Sequence, residues 1–272
     1  ENRERLEEYM AAFNQPQSTI TLEQGDYANT GFTQWGASGL AVVWAEENTR
    51  DSIFKAFKRK ETFATTGSRI AVRFFGGFNL SSIDLNSDNL VSESYEKGVT
   101  MGGDLISDGD KTPEFIVWAQ KDKNGASLQR VQIIKGWMDT TSGRPSEKVY
   151  DIACSDDLDV DPVTHRCPDN GARVNITDCS ISQNVGSSEL KTLWRDPEFK
   201  SSDKSFYYVR VLENPTCRWS TWDAIKRGFK PREDLHDTIQ ERAWSSPIWY
   251  IPDPSDVVVV PLGGTVPIRN SN

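Results

Sequence analysis

The sequence predicts a mainly β protein, α+β overall: a β-sandwich preceded by a strand–helix–strand remnant of an α/β barrel-like domain. Three observations carry the architecture. After Gly67, short runs rich in Val, Ile, Phe, Tyr and Trp recur between Gly, Pro, Asn and Asp turns, with few helical patterns among them. Before Gly67, an apolar run, LAVVWA (40–45), leads into an amphipathic helix and then a Thr-rich strand. The composition is globular, 36% hydrophobic and 10% aromatic with nine tryptophans, in a chain of 272 residues that can bury a sizeable core. The pattern change divides the chain into 1–67 and 68–272.

Taken in order, residues 1–13 read as a short amphipathic helix, with Leu6, Tyr9, Met10 and Phe13 at helical spacing. Residues 14–39 are irregular, rich in Gln, Thr, Gly and Asn, and long enough to wrap another element. LAVVWA has strand length and no polar face, which predicts a strand buried on both sides. Asn48 or Thr49 then caps a helix with Asp51 in its first turn and Lys58, Arg59 and Lys60 in its last. Each charge so placed against the helix dipole contributes about 0.3–1 kcal/mol. Ile53, Phe54 and Phe57 form its apolar stripe, and TFATT (62–66) follows as a strand.

RIAVRFF (69–75) alternates Ile70, Val72 and Phe74 with Arg69 and Arg73, the pattern of a half-buried strand. A polar loop from Asn79 to Lys111 separates it from FIVWAQ (115–120), RVQIIKGW (130–137), KVYDIA (148–153), ELKTLW (189–194) and FYYVRVLE (206–213). The last is apolar on both alternations and is predicted to be central. WDAIKRG (222–228) reads as a short helix stopped by glycine.

A formal charge of −9 argues against nucleic-acid binding, which needs a basic footprint. The longest apolar run, Val257 to Leu262, is far too short to span a membrane. ENRERLEEYM at the start is charged throughout, unlike a signal peptide, and a chain that opens inside a helix reads as a cut fragment.

Four cysteines, Cys154, Cys167, Cys179 and Cys217, lie in the second half, where two disulfides and a periplasmic or secreted location are expected. Three pairings are open. The expected one joins Cys154 to Cys167, closing a loop worth about 3 kcal/mol, and Cys179 to Cys217. Free thiols, or a zinc site using His165, are the alternatives, although the cysteine gaps are long for zinc.

No catalytic or metal-ligating residue is assigned. His165 and His236 stand in polar loops without a partner motif, and there is no H-x-H, H-E-x-x-H, C-x-x-C, P-loop or dinucleotide fingerprint. DDLDVDP (156–162) alternates Asp157, Asp159 and Asp161, but prolines stand where an EF-hand needs Gly and Glu; an exposed acidic turn is expected, with a looser calcium site as the alternative. The ligand-binding candidates flank the helix. Glu46 and Glu47 form a potential acid/base pair after a strand, with Arg50 beside them. Thr65, Thr66 and Arg69 form a potential anion site. Helix-end electrostatics and strand formation are their structural alternatives. In PTCRWSTWDA (215–224), Arg218, Trp219 and Trp222 either pack as a corner of the sandwich, the expectation adopted, or make a sugar platform.

SGLAVVWAEENTRDSIFKAFKRKETFATTGSRIAVRFFGG (38–77), LQRVQIIKGWMD (128–139) and DPEFKSSDKSFYYVRVLENPTCRWSTWDA (196–224) resemble a large bacterial family, domain of unknown function 3604. Its members look like distant relatives of the polymerase-and-histidinol-phosphatase (PHP) superfamily of metal-dependent phosphoesterases. Members are longer, with His/Asp metal motifs upstream of the helix at 47–60, and this sequence contains none of them. The resemblance implies the C-terminal part of such a hydrolase, inactive alone: the end of its barrel plus an all-β domain. It implies a divalent metal for the parent protein, no cofactor in this chain, and the missing N-terminal hydrolase domain as partner. Without that domain, the N-terminal segment is expected to expose an apolar face and self-associate through it, or to fold Gln15 to Gly36 across it. The alternative is a secreted, non-enzymatic β-sandwich module that binds carbohydrate through Trp219 and Trp222.

Overall fold

The computed structural model describes residues 38–139 and 143–254, Gly36, and the backbone of 19–22 and 25–28. The predicted helix over 1–13, most of Gln15–Gly36 and the run Val257–Leu262 lie outside the described residues. Within the stretch expected to be irregular, β1 (Thr19–Leu22) and β2 (Gly25–Ala28) pair as an antiparallel hairpin. Four-residue strands are too short for their alternation to stand out from a polar background.

After β3 (Leu40–Val43), α1 (Arg50–Lys58) and β4 (Thr62–Thr65) come β5 (Ala71–Gly77), a 3-10 turn (Leu80–Ser82), α2 (Leu90–Lys97), β6 (Gly98–Thr100) and β7 (Asp104–Ile106). β8 (Glu114–Gln120), β9 (Leu128–Met138), β10 (Pro145–Cys154), β11 (Val174–Asn175), β12 (Ser180–Ile181), β13 (Glu189–Arg195) and β14 (Ser205–Glu213) follow. The described elements end with β15 (Thr216–Cys217), α3 (Trp219–Lys226), β16 (Thr238–Ile239), β17 (Arg242–Ser245) and β18 (Ile248–Ile251).

The fold is mainly β, as predicted. One sheet runs β10-β9-β14-β17-β4-β3, with β18 pairing the start of β14 and β7 pairing β18 in parallel. The second runs β13-β8-β5-β6, antiparallel throughout. Phe74, Phe115 and Val117 from the smaller sheet meet Val131, Ile133, Tyr207, Val209 and Val211 from the larger in one buried core. β14 is central, held by β9, β17 and β18. Its inward alternation, Tyr207, Val209 and Val211, is fully buried.

The predicted loop Asn79–Lys111 is more ordered than expected. α2 and the 3-10 turn cover the outer face of the smaller sheet, where Phe75, Leu80, Ile83, Leu90 and Ile116 form a second apolar cluster. In LVSESYEK only Leu90 and Ser94 are buried, too narrow a stripe to reveal the helix by periodicity.

The strand–helix–strand order over 40–65 is observed. Its two strands pair with each other antiparallel, Leu40 opposite Thr65 and Val43 opposite Thr62, whereas the strands of an α/β unit are parallel. β4 then joins the large sheet through β17. β3 lies at the end of that sheet, so LAVVWA is not buried on both sides: Leu40 is 38% exposed, and only Val42 and Trp44 pack on the core. The helix stripe differs too. α1 buries Ala56 and half-buries Ile53, while Phe54 and Phe57 are 62% and 52% exposed.

Both disulfides form in the expected pairing, Cys154–Cys167 and Cys179–Cys217, each with a Cα–Cα distance of 5.6 Å. No free cysteine remains, which overturns the free-thiol and zinc alternatives. Among the described residues no helix is long and apolar enough to cross a membrane.

Candidate functional site

The site begins with the way α1 starts and stops. Thr49 is the N-cap: its Oγ1 accepts from Ser52 N at 3.3 Å, and Ser52 Oγ accepts from Glu47 N at 3.2 Å. At the other end Lys60 has φ 58°, with Lys60 N donating to Phe57 O at 2.9 Å and Glu61 N to Ala56 O at 3.1 Å. This is a Schellman stop with lysine in the left-handed position that glycine usually fills. The reversal turns Glu61 inward beneath the helix.

Glu61 is the hub of a cleft of about 520 Å³ lined by Trp44, Ala45, Glu46, Arg59, Arg73, Tyr95 and Thr100. Its side chain is almost fully buried. Oε2 accepts from Arg59 Nη2 at 3.3 Å and Nε at 3.4 Å. Oε1 accepts from the Tyr95 hydroxyl and from Thr100 Oγ1 at 3.3 Å, with Arg73 Nη1 at 3.9 Å. Arg73 Nη1 also donates to the Tyr95 hydroxyl at 3.0 Å, and its guanidinium lies 3.6 Å from the centre of the Trp44 ring. Trp44 is fixed in turn by Nε1 donating to Val72 O at 2.8 Å. Burial, then the Glu61 carboxylate, pushes the Tyr95 hydroxyl pKa up, so the phenol stays protonated.

β-strand geometry explains the convergence. Arg73 points outward from β5 because Val72 and Phe74 point into the core. α2 delivers Tyr95 and β6 delivers Thr100. The arrangement leaves donors for an anion: the carboxylate oxygens are hydrogen-bonded, while each guanidinium keeps further N–H groups beyond the bonds just described.

The six sequence-predicted ligand-binding residues separate into two groups. Glu46 lines the cleft. Glu47 contributes its backbone N–H to Ser52, and Arg50 is exposed at the helix start. Thr65, Thr66 and Arg69 lie at the opposite end of β4. Thr65 is buried and its Oγ1 accepts from Gly67 N at 3.2 Å. Thr66 Oγ1 donates to Glu241 and accepts from Arg242 N at 2.9 Å, and Arg69 N donates to Asp122 Oδ2 at 2.7 Å. Thr65 thus bonds a backbone N–H, Thr66 bonds Glu241 and a backbone N–H, and the Arg69 backbone N–H bonds Asp122. Arg59, Glu61, Arg73, Tyr95 and Trp44 were missed as site residues. The available signal was an acid following three basic residues, with Arg73 on the outward alternation of its strand.

That second end also holds Glu213, buried, with no hydrogen-bond partner for Oε1 among the described residues. Burial, then the Glu241 and Asp122 carboxylates, raises its pKa to about 7.

Other candidates resolve into local structure. Asp156 accepts from Gly186 N at 2.8 Å and from Asn170 Nδ2 at 3.2 Å, and Asp161 accepts from Val163 N and Thr164 N, so these acids brace their loop. His165 is half-buried against Tyr150, not exposed, with ring centres 5.1 Å apart. His236 is exposed.

A divalent metal, implied for the parent protein, does not fit the cleft. Both Glu61 oxygens accept from Arg59, Tyr95 and Thr100. Among the described residues no group of three or more His, Cys, Asp or Glu is placed to hold a metal ion.

A family model described as "Protein of unknown function (DUF3604)" matches residues 6–252. No curated protein and no solved structure matches the chain.

Proposed function

The chain belongs to the DUF3604 family, and on that premise we propose that it is the substrate-flanking C-terminal portion of a metal-dependent, phosphoesterase-like hydrolase of the PHP type. In this reading the metal and its chemistry belong to residues outside this chain, which is inactive alone. Its own contribution is recognition: Arg59 and Arg73 present guanidinium N–H groups to the oxyanion of a phosphate ester, against the wall made by Trp44. The observation that carries the reading is this pair of guanidinium groups lining one cleft, next to Glu46 and at the end of the helix where the resemblance sets the border of the catalytic centre. Two disulfides support an exported, periplasmic or secreted protein.

The test is a titration of the 272-residue chain with inorganic phosphate, followed by NMR at the arginine Nε–Hε and tryptophan indole resonances. Arg59, Arg73 and Trp44 are expected to shift, and Arg73→Ala is expected to abolish the response while both disulfides still form. An unchanged spectrum overturns the phosphate reading. The hydrolase part has its own check: the reading frame upstream of Glu1 should encode His-x-His and Asp-x-His motifs, and their absence overturns it.

A further inference from the structure

Helix α3 carries Trp219 and Trp222 one turn apart, and of the corner expected from the sequence Arg218 is buried, 5.3 Å from the Trp219 ring centre. The two indoles are 39% and 41% exposed. An open groove of about 630 Å³ runs beside them, and among the described residues Trp219, Trp222, Asp223, Lys226 and Arg227 line it. The helix beneath is anchored. Thr221 and Ala224 are buried, Thr221 Oγ1 donates to Asp237 O at 2.9 Å, and the Cys179–Cys217 disulfide ends two residues before Trp219. The rings are therefore displayed on a fixed element rather than on a loose loop.

The groove's chemistry is mixed in a specific way. Trp222 supplies a flat apolar surface, with Lys226 Nζ 5.7 Å from its ring centre. Asp223 supplies carboxylate acceptors and accepts from Arg227 Nε at 3.1 Å, which holds both heads at the rim. Acceptor, donors and an aromatic face thus stand within two turns of one helix.

We propose that this groove is a carbohydrate-binding site, taking a pyranose ring of a poly- or oligosaccharide against Trp222, with Asp223, Lys226 and Arg227 bonding its hydroxyls. A pyranose has the complementary surface: an apolar face of C–H groups and a rim of hydroxyls that both donate and accept. C–H groups carry partial positive charge and are drawn to the negative face of the indole. An open groove suits a ligand that keeps its other face in water. A membrane surface fits less well, because Asp223 sits among the groove's charges and the chain carries a formal charge of −9, which anionic lipid repels. The proposal rests on a different element from the Arg59–Arg73 cleft and does not depend on it.

The test is affinity electrophoresis of the full chain in native gels containing hydroxyethyl cellulose, laminarin, xylan, galactomannan, pectin or dextran, with tryptophan fluorescence titration of any polysaccharide that retards it. At least one is expected to retard the chain. Trp222→Ala is expected to weaken that binding by about tenfold or more, equivalent to 1.4 kcal/mol, with the melting temperature unchanged. Trp222→Phe, which keeps a ring, should retain part of it and so separates loss of the platform from loss of the fold. No retardation by any of the six overturns the proposal, as does retardation that Trp222→Ala leaves intact. Sedimentation with phosphatidylglycerol vesicles in the absence of any sugar response overturns it in favour of a lipid surface.

Discussion

Lys135 and Asp196 form an ion pair inside the sandwich: Nζ lies 2.5 Å from Oδ2, with the side chains 4% and 0% exposed. Lys135 comes from β9, and Asp196 lies just after β13, so the pair ties one sheet to the other. Tyr207 donates to the same carboxylate oxygen at 2.7 Å, and Lys135 also donates to Glu198 O at 2.9 Å. Burial, then Asp196, keeps the Tyr207 hydroxyl pKa well above its ordinary value, so it remains the donor.

Two charges taken out of water depend on each other, and removing one leaves the other uncompensated. Lys135→Met is therefore expected to destabilise the fold by about 3–5 kcal/mol. Adding Asp196→Leu to it should cost much less than the sum of the two single changes. Urea denaturation of both single variants and the double variant gives the coupling. Additive effects would mean that the pair contributes nothing as a pair.

Glu213 gives the fold a pH dependence of unusual sign. Its pKa is raised from an ordinary 4.5 to about 7, by burial first and then by Glu241 and Asp122. Between those values the folded chain holds a proton that the unfolded chain has lost, so this group favours folding at low pH. The contribution is present below about pH 4.5 and is lost as the pH rises through about 7, amounting to about 2–4 kcal/mol. Glu213→Gln, which stays neutral, should flatten that part of the stability profile and raise stability at pH 8. Denaturation across pH 5 to 8 checks it, and identical slopes for the two proteins would refute it.

The contrast between what the sequence revealed and what it hid follows from these residues. FYYVRVLE was legible as a central strand because eight residues with apolar side chains on both alternations have few other uses. Two disulfides were legible from the even cysteine count, whereas their pairing was one of three open possibilities until the structure gave it. β7 and β18 were not legible: strands of three and four residues pair in parallel across more than a hundred positions, and neither carries enough alternation to announce itself. The cleft stayed hidden because Glu61 fell between the helix and the TFATT strand (62–66) with no role assigned, and Tyr95 lay in a supposed loop. Trp219 and Trp222 were expected to pack as a corner of the sandwich, with the helix beginning at Trp222. Starting at Trp219 instead, it turns both rings toward solvent.

Gly102 and Lys60 are backbone neighbours whose roles cannot be exchanged. Gly102 has φ +87°, and a Cβ built on it would lie 2.3 Å from Lys60 O. Gly102→Ala should destabilise by more than about 1 kcal/mol, combining a left-handed strain with a backbone clash. Lys60→Gly should be neutral to stabilising, by up to about 1 kcal/mol, since glycine adopts the left-handed position without a Cβ penalty. Thermal melts should fall for Gly102→Ala and hold or rise for Lys60→Gly. A shift in the same direction would show that the Schellman stop does not govern this corner.

Leu40, Phe54 and Phe57 are large apolar side chains left exposed on the N-terminal segment. Hydrophobic burial contributes about 1.5–3 kcal/mol for each large apolar side chain fully removed from water, and these three retain a large exposed area. They come from β3 and α1, the segment that the proposed function sets beside the rest of the hydrolase. Such a surface should either meet another domain or bring chains together. The 272-residue chain is accordingly expected to show concentration-dependent self-association by light scattering and to bind a hydrophobic dye. Phe54→Lys with Phe57→Lys should reduce both while leaving the melting temperature nearly unchanged, because neither ring packs in the core clusters. A chain that stays monomeric and dye-free at high concentration would leave this surface with nothing to cover, and the proposal that a hydrolase domain docks beside α1 would lose its physical support.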